Sequence, residues 1–545
     1  MLFKATQILF LYFCLIGLYA CDAKIDTTRK DNILIYCSER DPGILNPQVS
    51  ANESTLDATA YTLFDRLIEI DEKTGKKIPS LAVRWTVSPD KKRYTFYLRK
   101  GVQFHHTSYF KPSRTMNSLD VVFSFKRIAN RVAPFLSSKR TSYPLFDHLI
   151  VDNIDSIKAV GTYAVEFNLK KPQQEFFKFF TLSGAVVHSF EYAQYLIRQH
   201  RRHDLDLYPI GTGPFRLLHY QRYVSIRFEK NPTYWQYHKV KLDGLIYDIT
   251  PKNRNRLAKL IQNDCDVVSA PKINDLPKLI QDKRFVFVST SGMNTTYLAF
   301  NTKKPPFQRA EVRKAIALAL NKQDIVKAIF YYTAQQAHSL LPPISWAYTP
   351  PQFKHVYDLE AAKALLQQQG VEDLSFSLWV DNASNTFNPS MMKTAAIIQS
   401  SLAKIGVKVI LKSFNGTVFR QELENIDYDA VLLGWEDKEN EPEFFYSSFF
   451  ACKKSTLSLD DAWCDPVYDK LVASMQLTHD ADVMKDLTRR AEERIYKQVP
   501  IIPITHSERV LIVNNRVKGL DISPFRAISF VNVKLENSDL EDDSL

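Results

Sequence analysis

The spacing of hydrophobic positions in the first half of the chain predicts short strands on either side of an amphipathic helix. Residues Ile33–Cys37 form an apolar run of strand length. From Arg93 to Arg99, hydrophobic and polar side chains alternate with the period of two that is typical of a strand with one buried face. Between them, Glu53–Leu67 places apolar residues, Ala60 and Phe64 among them, on one face of a helix.

Strands and helices alternate more clearly in the second half. The predicted elements are a strand at 374–380, a helix at 391–405, a strand at 407–411, a helix at 416–425 and a strand at 428–435. The last strand is continuously apolar, as expected where both faces of a sheet are covered. This order predicts an α/β fold with a mostly parallel sheet there. Because ligands bind outside the carboxyl ends of such strands, Gly434 and Trp435 are candidate site residues.

Length and charge narrow the class of protein. A chain of 545 residues is too long for one compact core, so we expect two or more lobes. The net charge is +11, but basic and acidic residues are mixed along the chain, which indicates a solvated basic surface. No nucleic-acid-binding module is present, and we expect no nucleic-acid partner. The acidic segment 536–545 is predicted to be a disordered tail.

The first 20 residues are typical of a signal peptide. A lysine near the start precedes an apolar run, Ile8–Ala20, that is too short to span a bilayer comfortably. The run ends in Leu-Tyr-Ala followed by Cys21, which resembles a bacterial lipobox. That resemblance implies an acylated Cys21, a lipid anchor in a membrane and a tether over 21–31. The alternative is ordinary cleavage after Ala20, which leaves Cys21 unmodified.

Four cysteines remain beyond the signal peptide and Cys21. In an exported chain they suggest two disulfides, and four cysteines allow three connectivities. Cys452 and Cys464 bracket a short loop and most simply pair together, which leaves Cys37 for Cys265. There is no Cys-x-x-Cys motif that would favour a zinc or redox site.

Motifs of the common enzyme classes are missing. The sequence has no G-x-S-x-G, H-E-x-x-H, P-loop or G-x-G-x-x-G pattern. Gly211-Thr-Gly213 lacks the third glycine of a dinucleotide-binding loop. We therefore do not expect an enzyme, and we expect no metal and no cofactor.

Several stretches, in order along the chain, resemble family 5 of the extracellular solute-binding proteins, which includes periplasmic dipeptide- and oligopeptide-binding proteins. The stretches are 94–104 (YTFYLRKGVQF), 119–127 (LDVVFSFKR), 209–215 (PIGTGPF), 231–235 (NPTYW), 301–307 (NTKKPPF) and 312–320 (VRKAIALAL). Segments 111–117 and 340–348 are most similar to the dipeptide-binding and Sap-type branch. That branch is similar in its disulfides too, which supports Cys37–Cys265 and Cys452–Cys464.

The resemblance implies a two-lobed periplasmic binding protein with its ligand in the interlobe cleft. The first lobe would comprise 32–290 and 508–535, and the second 291–507. Ligand would stabilise a closed form that docks on a membrane permease. The expected partners are a peptide and the permease and ATPase subunits of an ABC importer, and the protein is expected to be a periplasmic monomer of a Gram-negative bacterium.

The family's ligand motif corresponds to Gly434–Pro442, with two departures. Peptide receptors of the family carry an aspartate at the fifth position, which pairs with the ligand's ammonium; here that residue is Lys438, and Asp437 precedes it. The dipeptide receptor's arginine for the ligand carboxylate corresponds to Asn385, shortly before Phe387 and Asn388. Free dipeptides are therefore poor candidates, and longer peptides, blocked peptides or an anion such as haem fit better.

Two further segments are expected to meet the ligand. Ala51, Asn52 and Glu53 match a first-lobe loop that contacts ligand in the family, although Glu53 could equally be a carboxylate at a helix start. Trp435 could stack on a ligand or anchor the core. Two other functions remain open: a haem receptor, and a tethered interaction protein that has lost transport.

The anchor yields the first prediction. Replacing Cys21 by Ala should move the protein from the membrane fraction to the soluble periplasmic fraction, because the acylated side chain is lost. Fractionation followed by immunoblotting measures this. An intact mass of the unsubstituted protein that corresponds to a free N-terminal cysteine would show that the lipobox interpretation is wrong.

Overall fold

The computed structural model describes residues 32–50, 52–70, 77–129, 148–272, 279, 281–382, 387–436, 442–450, 462–478, 480–523 and 527–536. The strands of the first half are β1 (Ile33–Ser38), β2 (Ile68–Ile70), β3 (Lys77–Pro79), β4 (Ala82–Val87), β5 (Arg93–Leu98), β6 (Ile154–Gly161), β7 (Ala164–Leu169), β8 (Phe215–Gln221), β9 (Ser225–Lys230), β10 (Gly244–Ile249) and β11 (Val267–Ser269). Those of the second half are β12 (Phe285–Ser291), β13 (Asn294–Phe300), β14 (Ala334–Gln336), β15 (Ser375–Asp381), β16 (Lys408–Phe414), β17 (Ala430–Glu436), β18 (Ile501–Asn514), β19 (Val517–Lys518) and β20 (Lys534–Leu535).

The helices lie mainly between these strands. They are α1 (Glu53–Thr59), α2 (Ser118–Ile128), α3 (His148–Asn153), α4 (Phe190–Arg198), α5 (Asp204–Leu207), α6 (Asn253–Ile261), α7 (Ala310–Ala319), α8 (Lys322–Phe330), α9 (Leu359–Gln368), α10 (Met391–Ala403), α11 (Gly416–Glu424), α12 (Pro442–Phe450), α13 (Pro466–Leu477) and α14 (Ala481–Gln498). Among the residues with described structure, no helix is long and apolar enough to cross a bilayer.

A mixed sheet runs through the molecule and has two regions. We call β8, β9, β10, β1, β11 and β12 the first sheet region, and β13 to β17 the second sheet region. Strand β18 joins them: Ile501–Thr505 pairs with β13, Thr505–Ser507 with β14, and Glu508–Asn514 with β12. A separate antiparallel sheet has the order β4-β5-β7-β6.

Side-chain alternation on β13 and β17 separates two cores in the second half. Leu298 and Leu432 belong to a cluster that packs under α7 to α10, whereas Tyr297 and Val431 belong to another that packs against α12 to α14. Both faces of this sheet are therefore covered, as the apolar run at 428–435 predicted. The predicted βαβαβ order is confirmed, with β15 parallel to both β16 and β17.

The helix predicted for Glu53–Leu67 is too long, because α1 ends at Thr59. The residues that follow have other partners: the carbonyls of Thr62 and Leu63 accept hydrogen bonds from the amides of Phe215 and Gly213. In a longer helix those two carbonyls would point along the helix axis and could not accept these hydrogen bonds. Pairing with the 211–215 segment therefore excludes a longer helix.

The Glu536 amide donates a hydrogen bond to the carbonyl of Arg516, and the disordered acidic tail expected for 536–545 stays a prediction. Residues 537–545 lie outside the described part of the chain. The predicted lobe boundaries fall at the β12–β13 turn and within β18, and the division at 290/291 and 507/508 stays a prediction.

The disulfide between Cys37 and Cys265 is present and ties β1 to the segment before β11, with 6.0 Å between the two Cα atoms. Both cysteines are fully buried. Beside them, the buried Asp266 carboxylate accepts hydrogen bonds from the Ile35 amide at 2.8 Å and from Arg516 Nε at 2.8 Å. Cys464 is also disulfide-bonded, and its predicted partner Cys452 lies outside the described residues.

The Cys37–Cys265 bond closes a loop of 228 residues, which gives the second prediction. The Cys37→Ala/Cys265→Ala double variant should lose about 2–5 kcal/mol of unfolding free energy, because the unfolded chain regains the freedom of that loop. Guanidinium unfolding followed by tryptophan fluorescence measures it. An unchanged midpoint would contradict a stabilising bond, as would free thiols at both positions in the unsubstituted protein.

Candidate functional site

The two sheet regions are linked where the chain passes from β12 to β13 and again along β18. At this crossing, the Asn294 side chain is hydrogen-bonded to the main chain of Ser507: its Nδ2 donates to the carbonyl at 3.1 Å, and its Oδ1 accepts from the amide at 2.8 Å. The Gly292 amide donates to the same carbonyl at 2.9 Å. A Cβ on Gly292 would lie 2.0 Å from Asn294 Nδ2, so this close approach requires glycine.

A buried histidine extends the crossing into the second sheet region. His506 Nδ1 lies 2.9 Å from the Asn294 carbonyl and 3.1 Å from Thr295 Oγ1, which itself donates to the Leu340 carbonyl at 2.6 Å. Burial lowers the pKa of His506 to about 4, so the ring is neutral at neutral pH. The tautomer with its proton on Nδ1 satisfies both acceptors.

Gly434 and Trp435 lie at the carboxyl end of β17, next to the crossing, as the sequence predicted. In the β13–β17 ladder Trp435 is opposite Thr295, and Gly434 is opposite Thr296. Trp435 is half-buried and packs against the core under α12 to α14. The tryptophan therefore has a packing role, and its contact with a ligand stays a prediction.

The loop before α10 packs against Gly434. A Cβ on Gly434 would lie 2.1 Å from two ring carbons of Phe387, so the aromatic ring lies directly over the glycine. The Phe387 carbonyl accepts a hydrogen bond from Thr296 Oγ1 at 3.2 Å, which holds the loop against β13. The structure thus brings together two predicted site residues that are 47 positions apart in the sequence.

Asn388 has a structural task in the same loop. Its side chain is fully buried, its Oδ1 accepts from the Ser390 amide at 2.9 Å, and its Nδ2 donates to Thr394 Oγ1 at 3.0 Å. These bonds shape the start of α10. A role for Asn388 in ligand contact stays a prediction.

On the first sheet region, α1 begins beside Arg509 of β18. Arg509 Nε lies 2.6 Å from a Glu53 carboxylate oxygen, and Arg509 Nη2 pairs with Asp57. Asp57 also accepts a hydrogen bond from the Ile528 amide at 3.0 Å. Burial, aided by the neighbouring charge of Glu53, raises the pKa of Asp57 to about 6 against the opposing effect of Arg509. Asn52, the residue before α1, is exposed and makes no side-chain capping bond.

Sequence reasoning missed Asp57 and Arg509. Asp57 lies four positions after Glu53, hence on the same helix face, and this spacing was the available signal. Arg509 is 452 residues from Asp57 in the sequence, and no local pattern connects them. Four predicted site residues, Ala51, Asn385, Asp437 and Lys438, lie outside the described residues. Among those described, no three His, Cys, Asp or Glu side chains are placed to hold a metal ion.

Comparison with known proteins identifies the family. The pattern of the bacterial extracellular solute-binding proteins, family 5 Middle, matches residues 76–456. The chain belongs to this family. The peptide transport periplasmic protein SapA of Salmonella typhimurium is 35% identical over 513 residues, which is 93% of this chain and 92% of that protein.

Two further proteins are similar over nearly the whole chain. A dipeptide-binding protein of Escherichia coli is 34% identical over 92% of this chain and 94% of its own length. The crystal structure of a dipeptide-binding protein from Pseudoalteromonas sp. SM9913 in complex with Met-Leu is 36% identical, with a TM-score of 0.77. The aligned region covers 92% of this chain and 100% of the Pseudoalteromonas chain. The α/β binding-protein fold expected from the sequence is therefore confirmed.

The contact between Phe387 and Gly434 gives the third prediction. Gly434→Ala should displace the Phe387 ring and cost about 1–3 kcal/mol of unfolding free energy, because an added methyl overpacks the contact. Gly416→Ala is a matched control, since its Cβ would meet Asp381 Oδ2 at an ordinary 3.7 Å. Denaturant unfolding of both variants measures the difference. Equal stabilities would show that Phe387 moves aside freely.

Proposed function

We propose that this chain is the solute-binding component of an ABC importer, which captures peptides in a cleft between its two lobes and delivers them to a permease and its ATPase. The observation that supports this most is the similarity to proteins named for peptide transport and dipeptide binding over more than nine-tenths of the chain. The similar crystal structure of the Pseudoalteromonas dipeptide-binding protein is a complex with Met-Leu.

The crossing between the sheet regions supports a mechanism of capture by closure. Only short stretches of the β12–β13 turn and of β18 need to change backbone angles for the lobes to approach one another. Gly292 supplies conformational freedom in one of them, and the bonds between Asn294 and Ser507 keep the two stretches together. A ligand that contacts both lobes then stabilises the closed form by its additional contacts there.

The sequence favours peptides other than free dipeptides. Lys438, two positions after the last residue of β17, would repel an ammonium group, and Asn385 lacks the charge that would bind a carboxylate. Main-chain hydrogen bonds and contact with Trp435 should then contribute most of the affinity. These features suit peptides whose length is not measured by two charged ends.

The compartment follows from the same proposal. The SapA relative is named as a periplasmic protein, and the first 20 residues have the composition of a signal peptide. We place the protein in the periplasm, tethered to a membrane through Cys21. A haem receptor receives weaker support, because the compared proteins are named for peptides or bind one.

The fourth prediction concerns ligand length. Free dipeptides should bind at least about a hundredfold more weakly than they bind an intact dipeptide receptor, because two charge-assisted contacts are absent and each hydrogen bond to a charged group is worth about 1.5–3 kcal/mol. Longer peptides, which make more main-chain hydrogen bonds, should bind more tightly than dipeptides. Isothermal titration calorimetry with Ala-Phe, Ala-Ala-Phe-Ala, N-acetyl-Ala-Ala-Phe-Ala and haem tests this directly.

Substitutions at Lys438 sharpen the test. Lys438→Asp should improve binding of peptides with a free amino terminus, and Lys438→Gln, which only removes the positive charge, should improve it less. Micromolar binding of free dipeptides that is indifferent to both substitutions would show that the anchors are wrongly assigned. Tight binding of haem with no peptide binding would contradict the proposed function.

A further inference from the structure

A small pocket lies between α14 and the segment that leads from β14 to α9. His338 and Phe353 of that segment line it, together with Arg489, Glu492 and Tyr496 of the helix. Its cavity measures about 20 Å³, which is room for a group the size of one water molecule. None of the residues that line the pocket is among those predicted to contact the peptide, so the pocket is a second candidate site.

Glu492 uses only one of its carboxylate oxygens within the described part of the chain. Its Oε1 accepts hydrogen bonds from the Leu340 amide at 2.8 Å, from the Leu341 amide at 3.2 Å and from the Tyr446 hydroxyl at 2.7 Å. These three donors fix the carboxylate in position. Its Oε2 makes no hydrogen bond to a described residue and is therefore the oxygen that can bind a ligand in the pocket.

Among the described residues, no positive charge contacts this carboxylate. Arg489, three positions earlier on α14, pairs with other acids: its Nη2 lies 2.5 Å from Asp486 Oδ1, and its Nη1 lies 3.9 Å from Glu493 Oε2. Burial raises the pKa of Glu492 to about 7, and only hydrogen bonds oppose this effect. Because a carboxylate removed from water is stabilised by an opposite charge, the pocket favours a cation.

The other walls of the pocket suit an ammonium group. Phe353 and His355 both stack on Tyr496, with 5.6 and 4.4 Å between ring centroids, and Phe353 is 48% exposed. Aromatic faces of this kind attract cations. His338 Nδ1 has no hydrogen-bond partner among the described residues, and burial lowers the pKa of His338 to about 4. The neutral ring can therefore offer an acceptor to the same ligand.

We propose that this pocket binds a primary ammonium group, which donates hydrogen bonds to Glu492 Oε2 and His338 Nδ1 beside the aromatic ring of Phe353. The site is additional to the peptide cleft and does not depend on the proposed function. An ammonium group is about the size of a water molecule and carries three donors, whereas a guanidinium is too large for the cavity. The ammonium group can belong to a free alkylamine or to a lysine side chain of a partner protein.

The phenols that face Glu492 stay neutral near neutral pH. Tyr446 of α12, Tyr468 of α13 and Tyr348 all have a pKa above the ordinary value, because burial disfavours the phenolate and the charge of Glu492 repels it. They therefore contribute hydrogen bonds and no charge of their own.

The remaining neighbours include one further group that titrates near neutral pH. A hydrogen bond from Lys497 lowers the pKa of Glu493, and His338 and His355 both have a pKa of about 4 because they are buried. These three keep the same charge between pH 6 and pH 8. Lys322, whose positive charge acts on His338, has its pKa lowered by burial to about 7 and gains a proton in the same range.

Three probes test the proposal, each titrated into the full mature protein by ligand-observed NMR. Butylammonium carries a free ammonium group, Nα-acetyl-lysine methylamide carries it on a lysine side chain, and Nα-acetyl-norleucine methylamide lacks it. Both ammonium probes should bind at pH 8, and the norleucine probe should bind at least about tenfold more weakly than the lysine probe. Tighter binding of butylammonium assigns the site to a free amine, and tighter binding of the lysine probe assigns it to a partner protein.

Substitutions then locate the site. Glu492→Gln retains an oxygen for the donors of Leu340, Leu341 and Tyr446 but removes the charge, so it should weaken both ammonium probes by about 10- to 100-fold. Phe353→Ala, at an exposed position, should weaken them by about two- to fivefold. Glu311→Gln, at an exposed position of α7, is the matched control and should change nothing.

The pH dependence has a definite sign. The ammonium group binds the ionised form of Glu492, which predominates above its pKa of about 7, so affinity should fall about tenfold between pH 8 and pH 6. Protonation of Lys322 acts in the same direction. Glu492→Gln retains Lys322, and the pH dependence that remains in this variant measures the share of the lysine.

Three results would overturn the inference. They are equal affinity of the ammonium probes for the unsubstituted protein and for Glu492→Gln, equal affinity of the lysine and norleucine probes, and no binding of either ammonium probe. The peptide Ala-Ala-Phe-Ala should bind all variants equally well. Weaker peptide binding by Glu492→Gln would show that Glu492 acts through the fold of the whole protein, which also contradicts a separate ammonium site.

Discussion

The structure depends on a single strand that belongs to two sheet regions at once. The main-chain groups of β18 pair with β13 at one end and with β11 and β12 at the other. Because buried amides and carbonyls must find partners, a shift of register in one region would misplace every pair in the other. The geometry of one lobe is therefore transmitted to the next through covalent continuity and through a ladder of hydrogen bonds.

Several of the polar, aromatic and charged side chains described above lie close to β18. Asn294, which fixes the crossing, is opposite Glu436 at the end of β17, and Trp435 is opposite Thr295. On the other side of the crossing, Arg509 organises the carboxylates of α1. The candidate site residues at the end of β17 and the bonds that hold the crossing together are thus neighbours.

The parts of the fold that could be predicted from the sequence are those that a local pattern determines. The βαβαβ segment follows from periods of two and 3.6, and Gly434 and Trp435 follow from their place at a strand end. The end of α1 could not be predicted, since the competing partners of Thr62 and Leu63 lie about 150 residues away. Arg509 could not be identified from the sequence for the same reason. The Cys37–Cys265 bond could be predicted, because four cysteines allow only three connectivities. Phe387 was identified by resemblance, but its packing on Gly434 emerges only in three dimensions.

The late position of β18 has a consequence for the order of folding. Among the described strands, β12 and β14 pair with β18 alone, and β13, which pairs with β17 along one edge, has β18 along the other. These edges stay open during synthesis until residues 501–514 are available, near the end of the chain. Pairing between strands that are far apart in the sequence is slow. The chain must first lose the conformational entropy of closing a long loop, and the stabilising contacts between the strands form only afterwards. Completion of both sheet regions therefore depends on one late segment of the chain.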